Sequence, residues 1–258
     1  MKKRNITFLI LILCLVLGGC GSSEEREHSK AVKNDTNPPV ISGLEEGETV
    51  EVDYGQEFNL EKFLDDTLSI EDDVSGTLTQ YSFSISDKIM TEESADIDTT
   101  KSGDYPVSLT ISDEAGNEAV LNFTLKINRF HITKDNPNPI VYEGEYGKVI
   151  LSDIRYGTEA GITGYHFTFH IVNNSETEMA VFFDDAYINN VKISAYTDIS
   201  SIEPGREGTM ESNIRDEDMT SEMDEFTQIE ADICIASSVM MGETYTSIPV
   251  TIDRDIVN

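Results

Sequence analysis

His166 and His170 stand four residues apart. On a helix that spacing turns both rings to one face, the arrangement a zinc ion needs. The residues around them argue for a strand instead, because Tyr165, Phe167, Phe169 and Ile171 alternate with His166, Thr168 and His170. At about 3.3 Å per residue the two rings would stand ~13 Å apart and could not share one ion. Acidic side chains offer a second chemistry. Asp65, Asp66, Asp72 and Asp73 bracket one loop, and Asp113 and Asn117 sit in another. Hard oxygen donors on loops suit calcium, which takes six to eight of them, yet no segment carries Asp-x-Asp-x-Asp-Gly spacing. No metal ligands are assigned and no cofactor is expected, with calcium the alternative these acids leave open. Cys234 is the third candidate. Ile229, Ala231, Ile233 and Ile235 alternate around it and place it with Glu230 and Asp232 on the opposite face. A nucleophilic thiol needs a base or a positive charge beside it; acids raise its pKa, so Cys234 reads as an inert strand cysteine. The run from Asp216 to Glu225 is either a docking surface for a basic partner or a solvated connection. There is no Gly-rich phosphate loop and no Gly-x-Ser-x-Gly. No catalytic residue is assigned, and the chain reads as non-enzymatic.

The remaining reactive side chain is at the beginning. Lys2, Lys3 and Arg4 precede an apolar run from Ile6 to Leu17, and Gly18-Gly19-Cys20 follows. A charged segment, a short apolar segment and a small-residue cleavage site form an export signal. The apolar run is shorter than the ~20 residues a membrane-spanning helix requires. Leu17-Gly18-Gly19-Cys20 resembles the lipobox of bacterial lipoproteins. That resemblance implies that the Cys20 thiol is lipidated and that Cys20 becomes the new N-terminus. It places the protein at the cell membrane, lipid-anchored and facing the extracellular side. Cys14 leaves with the signal, so Cys234 would have no partner for an intramolecular disulfide.

The 258 residues carry a formal net charge of −31. Such a chain is repelled by nucleic acid and by anionic membrane surfaces. Its acidity serves either binding of cations or basic partners, or plain solubility at a crowded surface. Hydrophobic residues make up 38% of the sequence and there is no tryptophan, which allows modest cores of about two domains.

Those domains must position the candidates, and the periodicity is β throughout. Residues 20–37 are polar and mixed in charge, a flexible tether whose ends would sit about 20–25 Å apart, closed by Pro38-Pro39. From residue 38 to 128, Tyr105, Val107, Leu109 and Ile111 alternate, Asp113 to Asn117 supplies a turn, and Leu121, Phe123, Leu125 and Ile127 alternate again. That is a hairpin with one buried face. Shorter strands are expected at Val40-Ile41, at 50–52 and at 81–85, with one helical turn over Asn59 to Asp65. Pro106 inside a strand marks an edge or a local bend. Asn37-Pro38-Pro39-Val40-Ile41, Asp73-Val74-Ser75-Gly76, Gly103-Asp104-Tyr105 and Asp113 to Asn117 together resemble bacterial Ig-like modules of the pesticidal crystal protein and hyalin repeat type. The resemblance implies a spacer or binding module and no chemistry.

Residues 129–147 hold Pro137, Pro139, Gly144 and Gly147 and read as a linker, with a short strand near Ile140-Val141. A second domain follows over 148–258. Its signals are Val149 to Leu151, the Tyr165-to-Ile171 alternation, Asn173-Asn174-Ser175, the tight hairpin Ile188-Asn189-Asn190-Val191, Pro204-Gly205, the Phe226-to-Ala236 strand and Ile248 to Ile252. This order resembles telokin-like Ig sandwiches of secreted bacterial proteins, except that Asn190 stands where a turn glycine is expected. The fold class is therefore all-β, two tandem Ig-like β-sandwich domains after a signal peptide (1–19) and a tether. The expected function is a lipid-anchored surface protein whose Ig-like domains bind an envelope or extracellular protein or glycan, with adhesion as one form of this. The alternatives are a structural spacer, or an accessory subunit of a surface enzyme or transporter.

Overall fold

The computed structural model describes residues 23–91, 95–197, 200–219, 225–237 and 242–256. The expected signal peptide (1–19) and Cys20 lie outside the described residues. No helix among the described residues is long and apolar enough to cross a membrane.

The first departure from expectation comes at once. Where a flexible tether is expected, α1 runs from Ser23 to Asn34. Lys30, Ala31 and Lys33 are good helix formers, Lys33 sits in the last turn where the helix dipole favours a cation, and the Asn34 side-chain amide donates to the Lys30 carbonyl (2.9 Å). Local propensity thus favours a helix without an apolar stripe, which is why the hydrophobic pattern did not show it.

The first sandwich has β1 (Val40–Ser42), β2 (Thr49–Val52), α2 (Leu60–Thr67), β3 (Ser69–Asp72), β4 (Gly76–Thr77), β5 (Ser82–Ser84), β6 (Gly103–Ser112) and β7 (Glu118–Ile127). One sheet is ordered β1-β3-β4, the other β2-β7-β6-β5. The expected hairpin is β6–β7, in register from Gly103–Ile127 to Ser112–Glu118. Period-2 alternation sends Val107, Leu109, Ile111, Phe123, Leu125 and Ile127 into the core. Pro106 falls beyond the end of β5, which pairs only with Ser108 to Thr110. Its missing N–H therefore faces no partner strand. Helix α2 is capped by Asn59, whose side-chain oxygen accepts from the Lys62 N–H, and Leu60 and Leu64 seal the core between the sheets.

The second sandwich comprises β8 (Phe130–Ile132), β9 (Ile140–Gly144), β10 (Gly147–Glu159), β11 (Ile162–Asn173), β12 (Ala180–Ile188), β13 (Val191–Ile193), β14 (Ala195–Thr197), β15 (Glu207–Arg215), β16 (Gln228–Ala236) and β17 (Thr244–Asp253). Two five-stranded sheets, β14-β15-β11-β10-β9 and β13-β12-β16-β17-β8, enclose the core. Phe167 and Phe169 of β11 meet Phe183 of β12 edge to face, the geometry aromatic quadrupoles favour. In each sandwich an early strand lies parallel to the last one, β2 on β7 and β8 on β17.

Residues 129–147 are not a linker. They carry β8 and β9, which the second sandwich needs as edge strands, and only Asn128 and Arg129 separate β7 from β8. The prolines mark only the connection between the two strands, since Pro137 and Pro139 lie after β8 ends at Ile132 and before β9 begins at Ile140. Arg129 fixes the junction by donating to the carbonyls of Val250 and Ala231 and to the Asp232 carboxylate (2.6 Å). Tyr54 meets Phe130 edge to face across the junction. The Ile188–Val191 hairpin is as expected, and Asn190 replaces glycine without a register slip. Asn189 and Asn190 take φ of 51° and 63°, the conformation Asn tolerates better than other side chains.

Candidate functional site

Each expected site residue can now be placed. His166 and His170 lie on β11, on the face opposite Phe167 and Phe169, as the alternation requires. His166 is buried, with its Nε2 3.3 Å from the Gly157 carbonyl. The two do not form a metal cluster. Cys234 is buried in β16, and burial, with Asp184 and Asp232 adding to it, pushes its thiol pKa up. It has acids rather than a base beside it. Asp65 is used elsewhere, accepting from the Tyr81 hydroxyl (2.6 Å). Asp113 is enclosed by its own turn, receiving the backbone and side-chain N–H groups of Asn117. Asp72 and Asp73 stand together at the β3–β4 turn, joined by Asp35 from the end of α1.

The sites open to ligands differ between the sandwiches. On the outer face of β2, β7 and β6, a shallow depression of about 400 Å³ is lined by Thr49, Glu51, Asp104, Pro106, Thr124 and Lys126. Its one charged contact is Lys126 with Glu51 (3.1 Å), and with the Asn128 amide this holds the Glu51 carboxyl below its ordinary range. It has no aromatic ring in its lining.

The second sandwich instead carries an exposed tyrosine backed by buried rings, Tyr165 and Phe226. A bulge at Leu151/Asp153 shifts the β10 register, and beyond it the β10–β11 hairpin runs past the core. Tyr156 on this extension is 51% exposed. Its hydroxyl donates to the Asp216 carboxylate (2.6 Å), in the 3-10 turn Asp216–Asp218 that follows β15. Its ring lies 5.0 Å from that of Tyr165, its partner in register on β11. Tyr165 in turn meets Phe226 edge to face, and the Arg254 guanidinium covers Phe226 at 4.5 Å. Beside them Arg215 stacks on Tyr196 at 3.8 Å. Hydrogen bonding to Asp216 pushes the Tyr156 phenol pKa up, and burial does the same to Tyr165. Both phenols therefore stay protonated donors near neutral pH. On the same hairpin Arg155 is clamped by Glu159, Asp153 and Glu211, which raises its own pKa and holds Glu159 low.

This arrangement presents a pinned ring, fixed carboxylates and fixed guanidinium groups. Such groups are able to stack and to hydrogen-bond. Sequence reasoning touched the Asp216 run but missed Tyr156 and Tyr165, because their partners come from β10, β11, β15 and the residues after β17. In the sequence Tyr156 lies past Leu151, where the buried alternation of β10 ends, and nothing local marks it.

No protein-family model matches the sequence, and no curated protein matches it. Among solved structures, the chain is similar to the CBM51-2 (in complex with GlcNAc) and INT domains of ZmpB from Clostridium perfringens. The identity is 14%, covering 83% of this chain and 48% of that one, with a TM-score of 0.27. It is also similar to SGBP-B of the Bacteroides ovatus mixed-linkage glucan utilization locus, in complex with a mixed-linkage heptasaccharide. That match has 9% identity, 84% and 71% coverage, and a TM-score of 0.25. A third is protocadherin gamma B7 extracellular cadherin domains 1–4, at 9% identity, 85% and 77% coverage and a TM-score of 0.22. The chain spans about half the length of the first of these. At such scores the fold class rests on this chain's own sheets, which are all-β and stacked in two sandwiches.

Proposed function

We propose that this is a non-enzymatic, lipid-anchored protein of the bacterial cell surface whose second sandwich binds an extracellular or envelope glycan. The observation that carries the binding reading is Tyr156, exposed yet held in one orientation by Asp216 and Tyr165. Orienting an aromatic ring before the ligand arrives lowers the ordering cost of binding. A pyranose ring offers an apolar C–H face to such a platform and hydroxyls to the carboxylates around it. The net charge of −31 favours neutral or amino sugars over acidic polysaccharides. The membrane reading rests on the lipobox-like Leu17-Gly18-Gly19-Cys20 segment, with lipidated Cys20 as the anchor.

A glycan array probed with the full-length chain and its Tyr156→Ala variant tests the binding. The wild type should retain a defined set of neutral or amino-sugar glycans, and the variant should lose them. Equal retention by both would contradict the assigned surface. No retention by either would favour the spacer reading. Cys20→Ala tests the anchor: the protein should be released or left unprocessed, and normal processing with unchanged membrane retention would count against it.

A further inference from the structure

Helix α1 poses a physical problem. From Glu27 to Asn34 all of its described side chains except Val32 are exposed, so it buries almost no apolar surface against the sandwich. Helical stability in proteins comes mainly from such packing. What the helix brings to the sandwich instead is charge. The antiparallel register of β1 on β3 pairs Val40 with Glu71, so the residues just before β1 run alongside the β3–β4 turn. That places Asp35, one residue past α1, against Asp72 and Asp73. One carboxylate oxygen from each lies within 4.8 Å of the others.

Like charges this close repel, and among the described residues no Lys, Arg or His forms an ion pair with any of the three. Asp73 accepts only from the Asn37 amide (3.1 Å). Asp72 is the second and separate observation. It is only 7% exposed. Its Oδ1 accepts from the N–H groups of Val74 and Ser75, but its Oδ2 is buried and has no hydrogen-bond partner. The Oδ2 of Asp35 is likewise buried and unpaired. A buried carboxylate oxygen without a donor is costly, and in folded proteins it is met by a counter-charge or a metal ion. Here two of the three clustered carboxyl groups each carry such an oxygen.

We infer that Asp35, Asp72 and Asp73 form a calcium site that fastens the N-terminal helix to the first sandwich. The donors are all hard oxygens, with neither His nor Cys among them, which disfavours zinc and other transition metals. They come from a helix end and a turn rather than a regular cage, and calcium tolerates irregular coordination that magnesium does not. Water completes the shell. With the ion bound, α1 has a fixed direction relative to the sandwich; without it, three carboxylates push the helix away. The anchor segment is therefore stiff or loose according to calcium outside the cell. Sequence reading paired Asp72 and Asp73 with Asp65 and Asp66. The fold replaces those with Asp35, and Asp65 is already engaged by Tyr81.

The test is calorimetric titration of calcium chloride into the chelator-treated full-length chain, with three variants. Asp35→Asn and Asp72→Asn each remove a ligand charge, and the amide that Asp72→Asn introduces keeps an oxygen to accept the Val74 and Ser75 N–H groups. Asp66→Asn removes one charge elsewhere and controls for general attraction of cations to an acidic protein. The wild type and Asp66→Asn should bind calcium alike, and the two ligand variants about tenfold or more weakly. The rise in melting temperature between chelator and calcium should vanish in the same two variants. No calcium binding by the wild type, or less than tenfold weakening in Asp35→Asn, would overturn the site. Glycan binding through Tyr156 plays no part in either result.

Discussion

The second sandwich closes on long strands, β10 and β11 above all, and interlocks Phe167, Phe169 and Phe183 between two five-stranded sheets. The first has one long hairpin, and its other strands run two to four residues. It relies on side chains that satisfy turn backbones: Asn59 at the start of α2, Asp72 at the β3–β4 turn, Asp113 at the β6–β7 turn, Glu46 against Asn122. Where alternation is long, apolar burial holds the chain and frees a hairpin to extend beyond the core with Tyr156. Where strands are short, polar side chains take over the work of organising loops, and carboxylates end up close together. One sandwich therefore exposes a braced tyrosine, and the other gathers acids.

The sharpest way to break this contrast is through the larger core. Phe167→Ala, at a fully buried position, should cost about 3–5 kcal/mol, read as a lower urea midpoint for regions of the second sandwich. A loss under about 1 kcal/mol would mean that the edge-to-face cluster is not what holds it. The next effect tests a polar device inside the apolar sandwich. Asn173 is 0% exposed; its amide donates to the carbonyls of Thr177 and Ile202, and its Oδ1 accepts from the Ser175 N–H and hydroxyl. Asn173→Ala takes the acceptor from the Ser175 N–H and one donor each from the Thr177 and Ile202 carbonyls, and should cost about 1–3 kcal/mol by the same assay. In the first sandwich, Asn59→Ala removes the cap of α2 and should cost about 0.5–2 kcal/mol, with protection from hydrogen exchange falling first over α2.

The smallest effect is in acid. In the first sandwich Glu46 is held below its ordinary 4.5 by the backbone and side-chain N–H groups of Asn122, and Glu51 by Lys126 and Asn128. Asp98 is pushed up by burial but lowered further by Thr100 and Lys101. In the second, Glu159 is held low by Arg155. A carboxyl with a depressed folded-state pKa contributes stability that is full above its unfolded value and lost as pH falls through its folded one. As pH drops below about 4.5, protection from amide exchange, measured against the intrinsic rate at each pH, should therefore fall in the first sandwich before the second. A simultaneous fall would erase the distinction.

Much of the second sandwich and the main hairpin of the first were legible in the sequence. Period-2 runs such as Tyr105 to Ile111 and Tyr165 to Ile171 state both strand and buried face, and Asn189-Asn190 states its turn. Strand β15 was not legible, because its inward positions are Met210, Ser212 and Ile214 and its remaining residues include Gly208 and Asn213, so the apolar alternation is interrupted. The candidate sites were legible only in part. Asp72 and Asp73 stand out as a pair, but Asp35 reaches them only through the β1–β3 register. Tyr156 becomes a braced ring only once Tyr165 of β11 and Asp216 of the turn after β15 are brought to it. Spacing along the chain reports neighbours within an element, and both sites are built between elements.

The most direct test of the account is photo-crosslinking on intact cells of the source organism, with Tyr156 kept and a photoreactive residue placed at exposed Thr158 beside it in one variant and at exposed Val120 of the first sandwich in another. A surface that recognises a glycan through the second sandwich should give a carbohydrate-bearing adduct at position 158 and none at 120. No adduct at 158, or equal adducts at both positions, would contradict it.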